Sequence, residues 1–204
     1  MRTALCISGE LRSYRQTFPE LKENIIDVLK PDVFVYSWDT VGGTWKGRNP
    51  FNKYNGYFVD DFDRAPSGKQ LEKDLENIYR PEGLILEHFK PEYKDKIYNV
   101  GRPALLTENP DKGPWSQYNL PMFYTMYKCN ELKRDKETQE GFTYDLVIKA
   151  RTDVRFPLIP SSALEQLDVL WYYPRDHNEG HVVSDKFAFS NSKLLIFIYF
   201  IPLH

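Results

Sequence analysis

The chain has 204 residues, 27 Lys+Arg against 29 Asp+Glu and 41% apolar side chains, which suits one domain with a core of its own and argues against global disorder. A net charge of -2 lacks the basic footprint of a nucleic-acid binder, and two cysteines, Cys6 and Cys129, exclude a disulfide framework and a four-thiolate zinc site. The unusual quantity is aromatic: 13 Phe, 14 Tyr and 4 Trp, rings that either fill a core or meet a flat ligand.

Residues 1–3 run directly into four apolar residues, 4–7, a stretch too short for the core of a secretory signal. The expectation is a protein that stays in the cytoplasm, where free thiols are usual. Residues 3–8 predict a buried strand ending at Ser8-Gly9. Residues 14–29 predict a helix with Phe18, Leu21, Ile25, Ile26 and Leu29 on one face, stopped by Pro31. Residues 32–37 give a second buried strand, so the opening has a βαβ rhythm and the two strands should be parallel.

Between 38 and 68 the pattern dissolves into a Gly-rich segment holding Trp38, Trp45, Phe51, Tyr54, Tyr57 and Phe58, a loop long enough to suggest a functional role. A modest helix at 69–79 and a third strand at 83–87 follow. Residues 91–114 are polar and irregular. Residues 115–134 predict a helix with Leu120, Phe123, Met126, Tyr127 and Leu132 near helical spacing and Pro121 in its first turn. The remaining expectations are a strand at 144–149, a helical turn at 164–167, a strand at 169–173 and a closing strand at 182–189. Residues 194–203 are apolar but number ten, against the roughly 20 that cross a bilayer as a helix, so no transmembrane span is expected. They read as a buried strand or helix, with a membrane-contacting tail or an early stop as alternatives. The whole predicts an α/β fold over 1–204, one domain with a mostly parallel central sheet flanked by helices.

In such sheets ligands sit at the carboxyl ends of the strands, and three polar clusters lie there. The first is Ser8-Gly9-Glu10-Leu11-Arg12-Ser13-Tyr14-Arg15. A hydroxyl and a glycine between strand and helix can bring backbone N–H groups against a phosphate, and Arg12 and Arg15 could hydrogen-bond a diphosphate. The alternative is a plain turn with solvent-facing arginines, and neither the G-x-G-x-x-G nor the G-x-x-x-x-G-K-[ST] pattern is present.

The second cluster is Lys149-Ala150-Arg151-Thr152-Asp153-Val154-Arg155. A carboxylate held rigidly after a buried strand suits Mg²⁺ or Mn²⁺ on a nucleotide diphosphate, with Asp153 as metal ligand and Arg151 pairing with phosphate or orienting Asp153. The alternative is a surface salt-bridge set. The third is Ser184-Asp185-Lys186, an acid inside an apolar stretch that suits metal binding, acceptor binding or general-base work, or else a hydrogen-bonded turn. His177 and His181 read as a solvated loop pair, and Asp60-Asp61-Phe62-Asp63 as a solvated acidic loop that literally contains D-x-D. No G-x-S-x-G elbow is present, and both cysteines read as packing residues.

The opening Ala4-Leu5-Cys6-Ile7-Ser8-Gly9-Glu10-Leu11-Arg12 resembles the start of small glycosyltransferases encoded by bacterial surface-polysaccharide loci and large algal viruses. Ser116-Gln117 with the helix over 124–132 is similar in order and spacing, as are residues 144–153 and 184–190, so the resemblance covers about 3–192. It implies a GT-A-like, Rossmann-like fold, a nucleotide-diphosphate sugar donor and transfer to a hydroxyl of a glycan or glycoprotein acceptor. It would place the protein in the cytoplasm, the host's if virus-encoded. Carried over by position, Ser8, Gly9 and Arg12 would line the nucleotide pocket, with Arg15 as a further diphosphate partner. Arg151 and Asp153 would stand in place of the family's acidic metal motif, which here reads Arg-Thr-Asp rather than two carboxylates. Asp185 would face the acceptor side, and would be the base if the reaction inverts the anomeric centre. Arg12 or Arg151 would help stabilise the departing diphosphate, and the aromatic loop over 38–68 would cover the donor or form the acceptor platform. The rival expectations are a noncatalytic carbohydrate-binding or assembly protein and another nucleotide-using transferase such as a nucleotidyltransferase.

Overall fold

Every residue of β1 (Thr3–Gly9) is buried, because the strand lies between two others and is covered on both faces. It pairs in parallel with β2 (Asp32–Trp38) on one side and with β4 (Leu146–Ala150) on the other. The structure is a computed structural model that describes residues 1–39, 41, 67–88, 120–156, 158–172 and 187–194. Strand β3 (Gly83–Glu87) adds to β2 in parallel, and β5 (Trp171–Tyr172) and β6 (Phe187–Ser190) complete the order β3-β2-β1-β4-β6-β5. Only β6 runs against the rest: it is antiparallel to β4, and β5 is antiparallel to it.

Helices cover both faces, which is why the central strands read as nearly continuous apolar runs rather than alternating ones. Leu5 and Ile7 face one core with Val33, Val35, Leu146 and Ile148, closed by α1 (Tyr14–Leu21), α3 (Gly68–Tyr79) and α5 (Ser161–Leu164). Ala4 and Cys6 face the other with Phe34, Tyr36 and Val147, closed by Met126 and Cys129 of α4 (Leu120–Glu140). The first helical stretch continues from α1 through a π-helical turn (Lys22–Ile26) into α2 (Asp27–Leu29). It ends at Lys30, in the left-handed region at φ 48°, just before Pro31. Cys6 and Cys129 are free and buried, and the Cys129 thiol, its pKa pushed up by burial, donates to the carbonyls of Phe34 (3.4 Å) and Ile7 (3.5 Å).

The expected α/β sheet is present, with differences at its edges. Helix α4 continues past the expected end at 134 because its polar stretch is tied by Lys133–Glu137 and Lys136–Glu140 pairs one turn apart. It stops at Gly141, whose φ of +67° favours glycine. The helical turn expected at 164–167 lies three residues earlier: Pro160 stands at the N-cap, its carbonyl accepting from Ala163 and Leu164 N–H. Trp38 belongs to β2 and is buried, not part of a loop. The rest of the expected aromatic loop, including Trp45, Phe51, Tyr54, Tyr57 and Phe58, lies outside the described residues. Among the described residues, no helix is long and apolar enough to cross a membrane.

At the edge of the sheet opposite the strands' carboxyl ends, a buried ion pair ties α4 to the exit of β6. Lys133, with a fully buried side chain, donates to Glu137 Oε2 at 2.8 Å and to Ser192 Oγ. Glu137 Oε1 accepts in turn from Ser192 Oγ (2.8 Å) and Tyr144 N–H (3.0 Å). Removing one partner of such a pair leaves an uncompensated buried charge. Lys133→Met should therefore lower stability by about 3–5 kcal/mol, read from the urea unfolding midpoint at unchanged slope.

Candidate functional site

The site is built where β1 and β4 end side by side. Their pairing stops at Ile7 opposite Ala150; the second chain leaves the sheet there, and the first stays paired with β2 through Gly9. Gly9 turns the first chain with φ +98°, a conformation that side chains rarely adopt, and its carbonyl accepts from Ser37 Oγ at 2.6 Å. Ser8 is buried beside it, and its hydroxyl has no hydrogen-bond partner among the described residues. A buried hydroxyl of this kind calls for a polar partner, such as an ordered water.

Beyond Gly9 and Ala150 stand two acids and two arginines. Asp153 accepts from Arg151 through both oxygens, from Nε at 2.9 Å and from NH2 at 2.6 Å. Arg12 reaches Glu10 at 2.8 Å and Asp153 Oδ2 at 3.6 Å, which links Glu10, Arg12, Asp153 and Arg151 into one chain of alternating charge. The Arg12 side chain is 41% exposed and that of Asp153 only 14%, so the arginine is the group that can turn toward a ligand while the acid stays fixed. Arg151 NH1 also lies 3.7 Å from Met122 Sδ, so the first turns of α4 close this side of the site.

The structure thus brings together Ser8, Gly9, Arg12, Arg151 and Asp153. Arg15 is elsewhere: it donates to Asp74 of α3 at 2.9 Å, and Tyr14 donates to the same oxygen at 2.5 Å. Burial, then the hydrogen bond to Asp74, raises the Tyr14 pKa well above its ordinary value. Asp185, His177, His181 and residues 60–63 lie outside the described residues.

A second polar group at the carboxyl ends of β2 and β3 was not singled out from sequence. Tyr36 donates to Glu87 Oε2, Tyr124 lies 3.5 Å from Glu87 Oε1, and Trp38 stacks on Tyr124 with ring centroids 6.0 Å apart. Burial, then the bond to Glu87, raises the Tyr36 pKa far above its ordinary value, so this phenol stays protonated. His88 Nδ1 lies 3.0 Å from Asp39 Oδ2. The signal was available, since Trp38-Asp39 and Glu87-His88 stand at the ends of two recognisable strands, but their partners across the sheet are not encoded in local spacing.

Among the described residues no group of three or more His, Cys, Asp or Glu side chains converges as a cation cage would require. Asp153 is the one carboxylate of the expected metal motif, and both its oxygens already face Arg151. That donor set fits a divalent cation only if the cation takes most of its ligands from bound phosphates, the usual habit of Mg²⁺.

Fold and site together define an α/β domain of Rossmann-like arrangement, with an arginine–carboxylate cluster at the carboxyl ends of adjacent parallel strands. No family model, no curated protein and no solved structure matches the chain. Among the described residues an added Cβ at Gly9 would meet nothing within 4 Å, so the obstacle there is the backbone. Gly9→Ala should cost about 1–2 kcal/mol in thermal unfolding through strain alone, with the sheet's circular dichroism unchanged.

Proposed function

We propose that the chain is a glycosyltransferase of GT-A-like fold that moves a sugar from a nucleotide-diphosphate donor to a hydroxyl of a glycan or glycoprotein. The observation that carries this reading is the chain Glu10–Arg12–Asp153–Arg151 beside Ser8 and Gly9, at the strand ends where such sheets bind ligands. The resemblance over about 3–192 points to the same chemistry. The two buried, free thiols suit the reducing cytoplasm in which nucleotide-sugar donors would be met.

In this reading the donor's diphosphate lies against Arg12 and Arg151, with the Ser8 hydroxyl and the turn at Gly9 beside it. Asp153 orients the Arg151 guanidinium by its bidentate contact. As the bond between the anomeric carbon and the diphosphate oxygen breaks, negative charge grows on the leaving group, and the Arg151 guanidinium held by Asp153, with Arg12 turned toward it, stabilises it. The acceptor oxygen forms the new bond at the anomeric carbon and gives up its proton, which Asp185 would take as base if the reaction inverts the anomeric centre. A divalent cation, Mn²⁺ or Mg²⁺, would be held by Asp153 and the donor's own phosphates and would supply further charge stabilisation.

Thermal shift across a panel of nucleotide-diphosphate sugars, with and without Mn²⁺, tests the reading. The matching donor at 100 times its Kd should stabilise the fold by about 2.7 kcal/mol. Arg151→Lys, which keeps the charge but loses the planar fork, should weaken donor affinity by about tenfold or more. Asp153→Ala should reduce sugar transfer and donor hydrolysis together. A panel without any stabilising donor overturns the proposal, as does an Asp153→Ala enzyme of full activity. Glycan binding without donor binding would point instead to an assembly protein, and nucleoside triphosphate turnover to a nucleotidyltransferase.

A further inference from the structure

Past the last strand pair, Ile7 opposite Ala150, the two arginine-bearing loops are joined by side-chain hydroxyls instead of a backbone ladder. Thr152 Oγ1 donates to the Glu10 carbonyl at 3.1 Å. The Thr152 carbonyl accepts in return from Ser13 Oγ at 3.1 Å and from Thr17 Oγ1 at 2.7 Å. Thr17 Oγ1 has the Ser13 carbonyl at 3.1 Å as its longer alternative. Thr152 is 3% exposed and Ser13 8%, so water competes little for these bonds.

The placement of these bonds is specific. On one loop they fall on Glu10 and Ser13, on either side of Arg12. On the other they all come from Thr152, with Arg151 before it and Asp153 after it. The backbones that carry Arg12 and Arg151 are therefore tied to each other through a residue that carries no charge.

We propose that Thr152 is the positioning residue of this site: its hydroxyl and carbonyl set the spacing of Arg12 against Arg151, and anion affinity depends on it without its touching the anion. This rests on the reading that the two arginines hold a diphosphate. Valine has the shape of threonine but no donor, so Thr152→Val leaves the Glu10 carbonyl without this partner while keeping the buried volume. Thr152→Ser keeps the donor and loses only the methyl.

The test pairs calorimetric titration with inorganic pyrophosphate and amide hydrogen exchange over residues 10–13 and 151–155. Thr152→Val should weaken pyrophosphate binding about tenfold or more and speed exchange over 10–13, with β1 and β4 as protected as before. Thr152→Ser should bind within about threefold of the parent and exchange like it. If Thr152→Val binds as the parent does, the positioning role is overturned and the diphosphate reading stands. If the parent binds neither pyrophosphate nor any nucleotide sugar, the diphosphate reading falls, and exchange alone decides. In that case the dependence of anion affinity on Thr152 falls too; faster exchange over 10–13 in Thr152→Val but not in Thr152→Ser upholds only its spacing of the two loops, and equal exchange in both ends that as well. Should Thr152→Val not fold, Ser13→Ala together with Thr17→Val removes both reciprocal bonds and carries the same comparison.

Discussion

The placement of β1 between two parallel partners is the constraint on which the rest of this structure depends. Its register fixes Gly9 beside Ser37 on one side and Ile7 beside Ala150 on the other. Because all seven of its residues are buried, a slip by one position would exchange Leu5 and Ile7 with Ala4 and Cys6 between two cores of different shape. The first chain therefore leaves the sheet after Gly9, and its neighbour after Ala150. The strand ends deliver Glu10 and Arg12 to the same place as Arg151 and Asp153 with little freedom in the backbone that carries them.

The cluster built there is electrically balanced, two guanidinium groups against two carboxylates. Balance lets it sit partly buried without a ligand, because each charge has a partner at contact distance. It also means that an arriving diphosphate competes with Glu10 and Asp153 for the same arginines. Affinity then reflects a difference between two sets of ion pairs, so the geometry of the guanidinium groups matters more than their number. The whole chain carries a net charge of only -2, so no broad positive field compensates for a poorly placed group.

The sheet was largely legible in the sequence and the site partly so. Strands β1, β2 and β3 are apolar runs bounded by Gly, Pro or Asp, and α3 has Leu71, Leu75 and Tyr79 at helical spacing, so local pattern and buried face agree. The far end of α4 was not legible, because paired charges rather than apolar residues carry the helix past 134, and Lys133 is buried despite its type. Ser8, Gly9, Arg12, Arg151 and Asp153 could be selected because they lie at or just past the end of a strand. Arg15 was selected on the same ground, but it lies on α1, and contact with Asp74 across to α3 decides where it points. Sequence distance alone could not separate Arg12 from Arg15, three residues apart.

What local pattern cannot express is a hydrogen bond between residues that meet only in the folded sheet. Thr152 bonds Glu10 and Ser13 across 142 and 139 positions, and Tyr36 bonds Glu87 across 51. A threonine flanked by charged residues looks like any exposed loop position, and its burial follows only from the parallel pairing of β1 with β4. The charged residues of the site thus announce themselves by type, while the neutral ones that determine their separation become visible only through the sheet. A description of the site by its charges alone would omit the hydroxyls that hold its two halves together.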